Sequence, residues 1–323
     1  MTVSRVINGE TNVRPTTREA VNAAIAALNY SPNPAARSLA GAGRGRIGLL
    51  YSNPSAGFLS EFLVGSLDQA SRSDVQIIVE KCELGDHEIE VAKHLIDSGI
   101  DGIILPPPLC EAPAVLALLA AAGVPAVSVA TSLPTPDMLA VRIDDRAAAA
   151  TMTRHIMALG HRRIGFIKGN PNLSASDRRL EGYQEALAAA GIDVDPSLIA
   201  EGLFTYRSGL DAAEQLLDLA DPPTAIFSCN DDMAAATVAV AHRRRLDVPG
   251  DLTVCGFDDT TLSTAIWPEL TTIHQPIADM SRAAVELLVS TIRRAKGGEG
   301  VDAQRMLNYT LIRRQSDAPP RHG

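Results

Sequence analysis

The sequence predicts an α/β protein with two doubly wound parallel-sheet lobes, preceded by a small N-terminal all-α head and a hinge helix. Three observations lead to this class. From residue 47 onward, short apolar runs alternate with longer helical patterns, which is typical of β-α units built on a parallel sheet. The alternation starts again after Asp144, which indicates a second lobe. The first 46 residues contain helix signals without strand runs, and 323 residues suffice for two cores and an appendage.

The predicted strands are apolar on both faces, as strands buried between layers of helices must be. In the first lobe we predict strands at 47–50, 76–79, 102–105 and 126–129, with helices near 58–72, 86–98 and 112–122. In the second lobe we predict strands at 164–168, near 199, at 225–228 and at 253–257, with helices near 146–159, 177–190, 208–219 and 231–244. A last helix at 277–294 and a last strand at 305–311 close the chain.

The head begins with a short predicted helix at residues 2–8. Val3, Val6 and Ile7 have the spacing of one apolar helix face, and Gly9 ends the pattern. Polar residues occupy the opposite face of the same helix. We therefore expect this helix to pack on a neighbour through its valines and isoleucine and to expose its polar side chains.

Two more helices are predicted before the lobes begin. Thr16 with Glu19 three residues later forms a capping-box pattern, and the apolar stripe that follows ends at residues 29–32. Asn33 is then a suitable N-cap and Pro34 a suitable first residue for a third, short helix. A glycine-rich tether leads from this helix into the first strand.

Charge is unevenly distributed along the chain. Residues 1–46 contain six arginines and two glutamates, a net charge of +4, so residues 47–323 carry −13 of the total of −9. A basic head on an acidic body suggests that only the head meets a polyanion such as nucleic acid. On charge alone, a merely solvated basic face remains the alternative.

Several function classes have no support in the sequence. The four cysteines lack CxxC spacing, which favours reduced thiols in a cytoplasmic protein and predicts no zinc site. The N-terminus lacks a signal-peptide pattern, and no apolar run free of both charge and proline reaches the roughly 18 residues of a membrane span. His155 and His161 lack a carboxylate at metal-ligand spacing, so we expect solvated or hydrogen-bonded histidines. No metal or other cofactor is predicted.

Catalytic and nucleotide motifs are absent or misplaced. The GxGxxG match at 43–48 precedes a strand, whereas a dinucleotide fingerprint must follow a strand and open a helix. No nucleophile-elbow, zinc-protease or phosphate-loop motif occurs. The adjacent carboxylates of Asp144 and Asp145, and of Asp231 and Asp232, should point apart rather than form an acid/base pair. We therefore do not expect an enzyme.

A set of motifs extends over essentially the whole chain in a fixed order. They are TVSRVING at 2–9, LNYSPNPAARSL at 28–39, GHRRIG at 160–165, DRRLEG at 177–182, CNDDMA at 229–234, GFD at 256–258 and PELTTIHQP at 268–276. Together they resemble the lactose-repressor/galactose-repressor (LacI/GalR) family. The resemblance implies a homodimeric transcriptional regulator that binds a palindromic operator DNA through its head and a small effector through a periplasmic-binding-protein-like body.

In that family the chain crosses between the lobes three times. Here the resemblance places the crossings near Asp144, at 274–276 and at 302–306. The expected division is therefore a partial helix-turn-helix head at 1–30, a hinge helix and linker at 31–46, an N-terminal lobe at 47–143 plus 277–302, and a C-terminal lobe at 144–276 plus 303–323.

Within the head, the resemblance identifies residues 2–8 with the recognition helix. Thr2 and Arg5 would face the major groove, where an arginine can contact guanine with two hydrogen bonds, while Ser4 and Asn8 would contact phosphates. Leu39 would insert into the minor groove as a wedge that kinks the DNA. For Thr2 and Ser4 the alternative is simple helix surface, and for Leu39 it is packing on the body. The further DNA contacts expected are Tyr30, Asn33, Arg37 and Ser38.

The sequence departs from the family at its beginning. The family's first helix and turn, roughly 15 residues, have no counterpart before Thr2, and a helix as short as residues 2–8 is marginal alone. We therefore expect the true start codon to lie upstream and Met1 to be internal. The alternative function is a sugar-binding protein without DNA function.

The effector is expected between the lobes, at the carboxyl ends of the strands. The residues that match family effector positions are Asn53, Phe58, Arg179, Asn230, Asp231 and Asp258, with Leu59 and Asp144 as weaker candidates. Polar groups for hydroxyls and an aromatic face favour a sugar. For Arg179 and Asp231, helix capping and salt bridging are equally reasonable roles. Leu173 and Ala130 replace polar side chains of particular relatives and leave the effector's identity open.

Overall fold

A computed structural model describes residues 6, 14–27, 45–52, 55–83, 85–294 and 302–321 of the chain. The chain divides into two compact units, Met1–Arg44 and Gly45–Gly323. The first corresponds to the predicted head and hinge, and the second contains both predicted lobes. Within the described residues, no helix is long and apolar enough to cross a membrane.

In the first unit the structure describes helix α1 (Pro15–Ala27). The helix begins one residue before Thr16, because the carbonyl of Arg14 accepts the amides of Thr17 and Arg18. Thr16 therefore lies inside the helix, and the predicted capping box is wrong. Val6, on the predicted apolar face, is helical and buried. The predicted DNA contacts lie outside the described residues; they are Thr2, Ser4, Arg5, Asn8, Tyr30, Asn33, Arg37, Ser38 and Leu39.

The first lobe of the second unit is a parallel sheet covered by helices. Its elements are β1 (Gly45–Tyr51), α2 (Ala56–Ser73), β2 (Val75–Lys81), α3 (Glu88–Asp97), β3 (Gly102–Leu105), a 3₁₀ turn (Leu109–Glu111), α4 (Pro113–Ala121), β4 (Ala126–Val129), β5 (Leu139–Arg142), α10 (Ile277–Arg294) and β11 (Gln304–Met306). The strand order is β11-β5-β4-β3-β1-β2, with every neighbouring pair parallel. All four residues of β3 are buried, as expected for a central strand with helices on both faces.

The second lobe repeats this plan with one antiparallel edge strand. Its elements are α5 (Asp145–Ala158), β6 (Ile164–Lys168), α6 (Ser174–Ala189), a 3₁₀ turn (Pro196–Leu198), β7 (Ile199–Glu201), α7 (Tyr206–Leu217), β8 (Ala225–Ser228), α8 (Asp231–Arg243), β9 (Thr253–Asp258), α9 (Leu262–Ala265), β10 (Thr271–His274) and β12 (Thr310–Ile312). The order is β12-β10-β9-β8-β6-β7, and only β12 runs antiparallel to its neighbour. The predicted pair of doubly wound lobes is confirmed.

The chain passes between the two sheets three times: between β5 and α5, between β10 and α10, and between β11 and β12. The predicted single strand at 305–311 is wrong, because β11 pairs with β5 in the first sheet and β12 pairs with β10 in the second. A boundary at residue 303 would also assign β11 to the second lobe, although it belongs to the first sheet. The error arises because the sequence of a short run does not indicate with which sheet its first and second halves pair.

Helices α2 and α10 approach each other closely at a glycine. A Cβ atom at Gly65 would lie 2.1 Å from the carbonyl oxygen of Ala278 and 2.2 Å from Oγ of Ser281. Both neighbours belong to α10, which returns to the first lobe after the chain has built most of the second. The absence of a side chain at Gly65 therefore allows the late helix to close the first lobe.

We expect Gly65→Ala to lower the free energy of unfolding by about 1–3 kcal/mol, because the added methyl group forces two backbones apart. Chemical denaturation at neutral pH measures this difference. Ser60→Ala is the matched control, since Ser60 is exposed on the same helix and the change should stay within about 0.5 kcal/mol. Equal stability of the Gly65→Ala variant and the wild type would contradict the close approach.

The C-terminal segment is fixed to the second lobe by buried polar contacts. Asp317, whose side chain is fully buried, accepts hydrogen bonds from Thr271 and Arg313 and contacts Nε2 of His155 at 2.8 Å. His161 contacts Thr224 and the carbonyl of Ala318, each at 2.8 Å. Both histidines are therefore hydrogen-bonded, as the sequence predicted. Burial opposes ionisation of Asp317, but the hydrogen bonds and the charge of Arg313 outweigh it and lower its pKa.

We expect Asp317→Asn to cost about 2 kcal/mol of stability at pH 7, the scale of hydrogen bonds to a charged group. Because the pKa of Asp317 is lower in the folded than in the unfolded protein, its contribution is present above the unfolded pKa and is lost as the pH falls through the folded pKa. The gap between variant and wild type should thus narrow in acid. Urea titrations at several pH values measure it, with the exposed Asp221→Asn as control; a gap constant with pH would contradict this assignment.

Candidate functional site

A cleft lies between the lobes, where the carboxyl ends of the two sheets face each other; its empty space, including the part open to solvent, is about 560 Å³. The segments after β1, β3 and β4 supply its wall from the first lobe, and the segments after β6, β7 and β8, the end of β9 and the segment after β10 supply its wall from the second. This is the expected place for a ligand in doubly wound folds. The lining residues are Ser55, Phe58, Pro107, Pro108, Ala130, Asn170, Leu173, Ala175, Arg179, Leu203, Phe204, Asn230, Asp258 and Gln275.

Arg179 on α6 is the buried cation of this cleft. Its Nε donates to Oδ1 of Asp145 at 2.8 Å and its Nη1 donates to the carbonyl of Cys229 at 2.5 Å. The guanidinium also lies over the ring of Phe257, 3.6 Å from the centroid, which adds a cation–π contact. These contacts hold the guanidinium plane in one orientation. The side chain is only 5% exposed, so they replace most of its contacts with water.

Asp258 is the acidic counterpart of Arg179 at the end of β9. One carboxylate oxygen lies 4.0 Å from Nη1 of the arginine. Its backbone has φ of 105°, a region that non-glycine residues avoid and that often marks functional sites. Burial raises the pKa of Asp258 well above its ordinary value; the Arg179 charge opposes this rise, whereas Asp231 and Asp232 add to it. The site therefore places a buried carboxyl group, on a strained backbone, beside a fixed guanidinium.

Asn230 and the aromatic residues complete the wall. The side-chain oxygen of Asn230 caps α8 by accepting from the amide of Met233, and its nitrogen donates to the carbonyl of Phe204 at 3.0 Å. Phe58 comes from the first lobe, where its ring stacks on that of Phe62. Phe204 comes from the second lobe and lies 5.8 Å from the Arg179 guanidinium. Aromatic rings and amide groups thus line the same cavity.

The structure brings together four of the predicted ligand residues, namely Phe58, Arg179, Asn230 and Asp258. Asp144 does not line this cleft: its carboxylate caps α5 by accepting from Ala147, and the residue borders a different groove beside 306–311. Asn53 lies outside the described residues.

Asp231 does not line the cleft either. It is fully buried, and its oxygens accept hydrogen bonds from Thr272 and from the amide and hydroxyl of Thr260. A Cβ at Gly256 would lie 2.4 Å from Oδ1 of Asp231, so the carboxyl is packed tightly against β9. Asp231 therefore joins β10 and the segment after β9 to α8 by hydrogen bonds to threonine. This is a structural role, but it differs from the helix capping and salt bridging considered for it.

The lining or adjoining residues that sequence reasoning missed include Asp145, Gln275 and Phe204. Asp145, dismissed as half of an adjacent carboxylate pair, holds Arg179. Gln275 donates to Asp258 at 3.4 Å and lines the cleft beside the crossing between the lobes. Phe204 has a positive φ of 60°, and it follows a strand that is only three residues long. Only the position of each residue after a strand could have suggested these roles.

The described residues contain no group of three or more metal-ligating side chains that could hold an ion. Titratable side chains at the cleft are instead paired with one another or with backbone groups, as the contacts of Arg179 and Asp258 show. The cleft offers polar groups that can form hydrogen bonds together with aromatic faces, a combination typical of small-molecule pockets.

Fold and cleft define a periplasmic-binding-protein-like body, and residues 153–316 match the profile of the periplasmic binding protein-like domain. Residues 1–33 match the profile of bacterial regulatory proteins of the lacI family. The chain is 36% identical to catabolite control protein A of Priestia megaterium over 289 residues, 89% of this chain and 87% of that protein. It is 34% identical to the HTH-type transcriptional regulator CelR of Thermobifida fusca, over 96% of this chain and 92% of that protein.

Solved structures agree with this relationship. The lac repressor dimer bound to operator and the anti-inducer ONPF superposes with a TM-score of 0.82 and 28% identity, covering 98% of this chain and 94% of that one. The CelR–cellobiose complex superposes with a TM-score of 0.78 and 32% identity, covering 97% and 94%. The chain therefore belongs to the lacI family of bacterial regulatory proteins. Its relatives are transcriptional regulators, so the predicted family and fold class are confirmed.

Proposed function

We propose that this protein is a repressor of genes for sugar use, whose affinity for operator DNA changes when a sugar binds between its lobes. The observation that carries the proposal is the cleft itself, in which a buried Arg179–Asp258 pair, Asn230 and aromatic rings face one cavity. The match of residues 1–33 to the lacI profile favours this function over a sugar-binding protein without DNA function.

The chemistry of the cleft suits a neutral, hydroxyl-rich ligand. Sugar hydroxyls both donate and accept, and the cavity presents the guanidinium of Arg179, the carboxyl of Asp258 and the amide of Asn230. The rings of Phe58 and Phe204 offer flat apolar surfaces for the C–H face of a pyranose. Among the related structures, one is a complex with cellobiose and another has bound ribose, which supports the same class of ligand here.

Dimerisation is proposed for this chain because the lac repressor relative is a dimer on its operator. Helix α2 exposes Val64 and Leu67, which are 60% and 56% accessible and three residues apart. Large apolar side chains at this spacing form a stripe that a second copy can cover. Two copies would present two heads to the two halves of a palindromic operator.

The effector would act by changing the angle between the lobes, and therefore the spacing of the two hinge helices in the dimer. Operator affinity then changes by the difference in the effector's affinity for the two lobe arrangements, typically about 1–3 kcal/mol. Asp144 and Asp231 stay outside this ligand set, because their carboxyl groups are committed to capping and to strand fastening.

A thermal-shift screen of neutral mono- and disaccharides, followed by operator binding with and without each hit, tests the proposal. A sugar at 100 times its Kd should stabilise the protein by about 2.7 kcal/mol. The same sugar should change operator affinity several-fold. If the protein binds the sugar but its operator affinity is the same with and without that sugar, regulation by that sugar is contradicted. Arg178→Met, a substitution outside the cleft, serves as the control.

We expect Leu39→Ala to weaken operator binding by about 10- to 100-fold while sugar affinity is unchanged. In this proposal the leucine inserts between two base pairs. Unstacking them costs a few kcal/mol, and the closer fit of the bent duplex to the protein offsets this cost. Fluorescence anisotropy with a labelled palindromic operator measures the change. Leu39→Met preserves an apolar wedge and should keep most of the affinity; equal binding by the alanine variant would exclude the wedge.

A further inference from the structure

Along one side of the cleft, hydrogen bonds join the two lobes directly. In the first lobe, Glu111 follows β3 and Ser132 follows β4; in the second, Asp145 and Ser174 begin α5 and α6. The amide of Ser174 donates to Oε2 of Glu111 at 2.8 Å, and its hydroxyl donates to the same carboxylate. The amide of Ser132 donates to Oγ of Ser174 at 3.0 Å, and the Ser132 hydroxyl donates to Oδ2 of Asp145.

Asp145 connects these bonds to the ligand cavity. Its Oδ2 accepts from Ser132 of the first lobe, and its Oδ1 accepts from Nε of Arg179, which lines the cleft. Asp145 is 2% exposed and Arg179 is 4% exposed, so water cannot readily replace either partner. A buried carboxylate that loses a donor bears the full desolvation penalty of that oxygen. One carboxylate therefore takes part both in positioning Arg179 and in joining the two lobes.

We propose that Arg179, Asp145 and Ser132 form a relay that couples a ligand at the guanidinium to closure of the lobes, with the Glu111–Ser174 contact as its second anchor. The proposal rests on the function proposed above. A ligand that holds the Arg179 guanidinium in its present plane also holds Asp145 in position to accept from Ser132. Opening the lobes withdraws Ser132 and leaves Oδ2 of Asp145 without that donor, so Asp145 and Ser132 are positioning residues.

A second contact between the lobes provides a comparison. The hydroxyl of Ser55, before α2, donates to Oδ2 of Asp232 on α8 at 2.6 Å. Asp232 has no contact with Arg179 or Asp145 among the hydrogen bonds and ion pairs of the described residues. It should therefore help closure without taking part in the relay, which makes Asp232→Asn a matched control.

A double-mutant cycle on lobe closure tests the relay. Spin labels at Lys93→Cys on α3 and Asp211→Cys on α7 report the distance between the lobes by pulsed electron resonance; the native cysteines are buried and escape labelling. Ser132→Ala and Arg179→Lys should each lower the ratio of closed to open protein on the order of fivefold, the scale of one hydrogen bond. Their combination should lower it little further, because both interrupt the same relay.

Asp232→Asn should also lower the ratio, but its effect should multiply with that of Arg179→Lys. An unchanged ratio in Ser132→Ala, or independent effects of Ser132→Ala and Arg179→Lys, would overturn the relay. Circular dichroism checks each fold, and Asp145→Asn replaces Arg179→Lys in the cycle if the lysine variant does not fold. The cycle uses neither sugar nor operator, so absence of sugar binding contradicts only the proposed function, and independent effects contradict only the relay.

Discussion

Replacing Arg179 with methionine should lower the free energy of unfolding by about 3–5 kcal/mol and remove ligand binding in the cleft. The change leaves Asp145 and Asp258 buried without their shared cation, and an uncompensated buried charge is among the most destabilising consequences of a single substitution. It also removes the donor to the carbonyl of Cys229. Urea denaturation at pH 7 measures the loss of stability, and calorimetric titration with the sugars from the screen measures the loss of binding.

The neighbouring arginine provides the control. Arg178 lies on the same helix and pairs only with Glu181 at the surface, among the salt bridges of the described residues. Arg178→Met should change stability by less than about 1 kcal/mol and leave sugar affinity intact. Similar losses of stability and of sugar affinity in both variants would mean that helix α6 tolerates no change at either position. The buried Arg179–Asp258 pair would then have no special role.

The alternation of strands and helices was predictable because parallel strands are apolar on both faces, and the run Gly102–Leu105 is a clear example. The strands Leu139–Arg142 and Thr271–His274 were not predicted. Each is short and mixes polar with apolar residues, and the second ends at a crossing between the lobes. Their strand conformation is fixed by pairing with neighbours rather than by their own composition.

The site divides in the same way. Arg179, Asn230 and Asp258 were predictable because each occupies a motif position near the carboxyl end of a strand. Asp145 was not, because its partner Arg179 is 34 residues away along the chain and the pairing depends on how α5 packs beside α6. Asp231 carries the same motif as Asn230 but turns into the core towards Thr272. Motif membership thus locates a cleft without deciding which of two adjacent side chains faces it.

The stability of the protein should fall as the pH rises from about 4 to about 7, and Asp231→Asn should remove part of that fall. Burial raises the pKa of Asp231 to about 7, and hydrogen bonds from Thr272 and Thr260 only partly oppose it. The folded protein therefore keeps a proton that the unfolded chain releases near the ordinary aspartate value, so unfolding releases a proton in this range and higher pH favours unfolding. A shift of this size corresponds to about 4 kcal/mol.

The side chain of the asparagine variant cannot titrate, so the unfolding free energy of this variant should depend less on pH. At pH 5 it should be about 1–3 kcal/mol below that of the wild type, because the substitution removes one acceptor oxygen. Some slope should persist, because burial also raises the pKa of Asp258. Urea titrations at half-unit steps between pH 4 and 8 measure both curves, with the exposed Asp137→Asn as the control. Parallel curves for wild type and Asp231→Asn would show that the Asp231 carboxyl is ionised over the whole range from pH 4 to 8. The contact between β10 and α8 would then depend on a buried carboxylate rather than on a buried carboxylic acid.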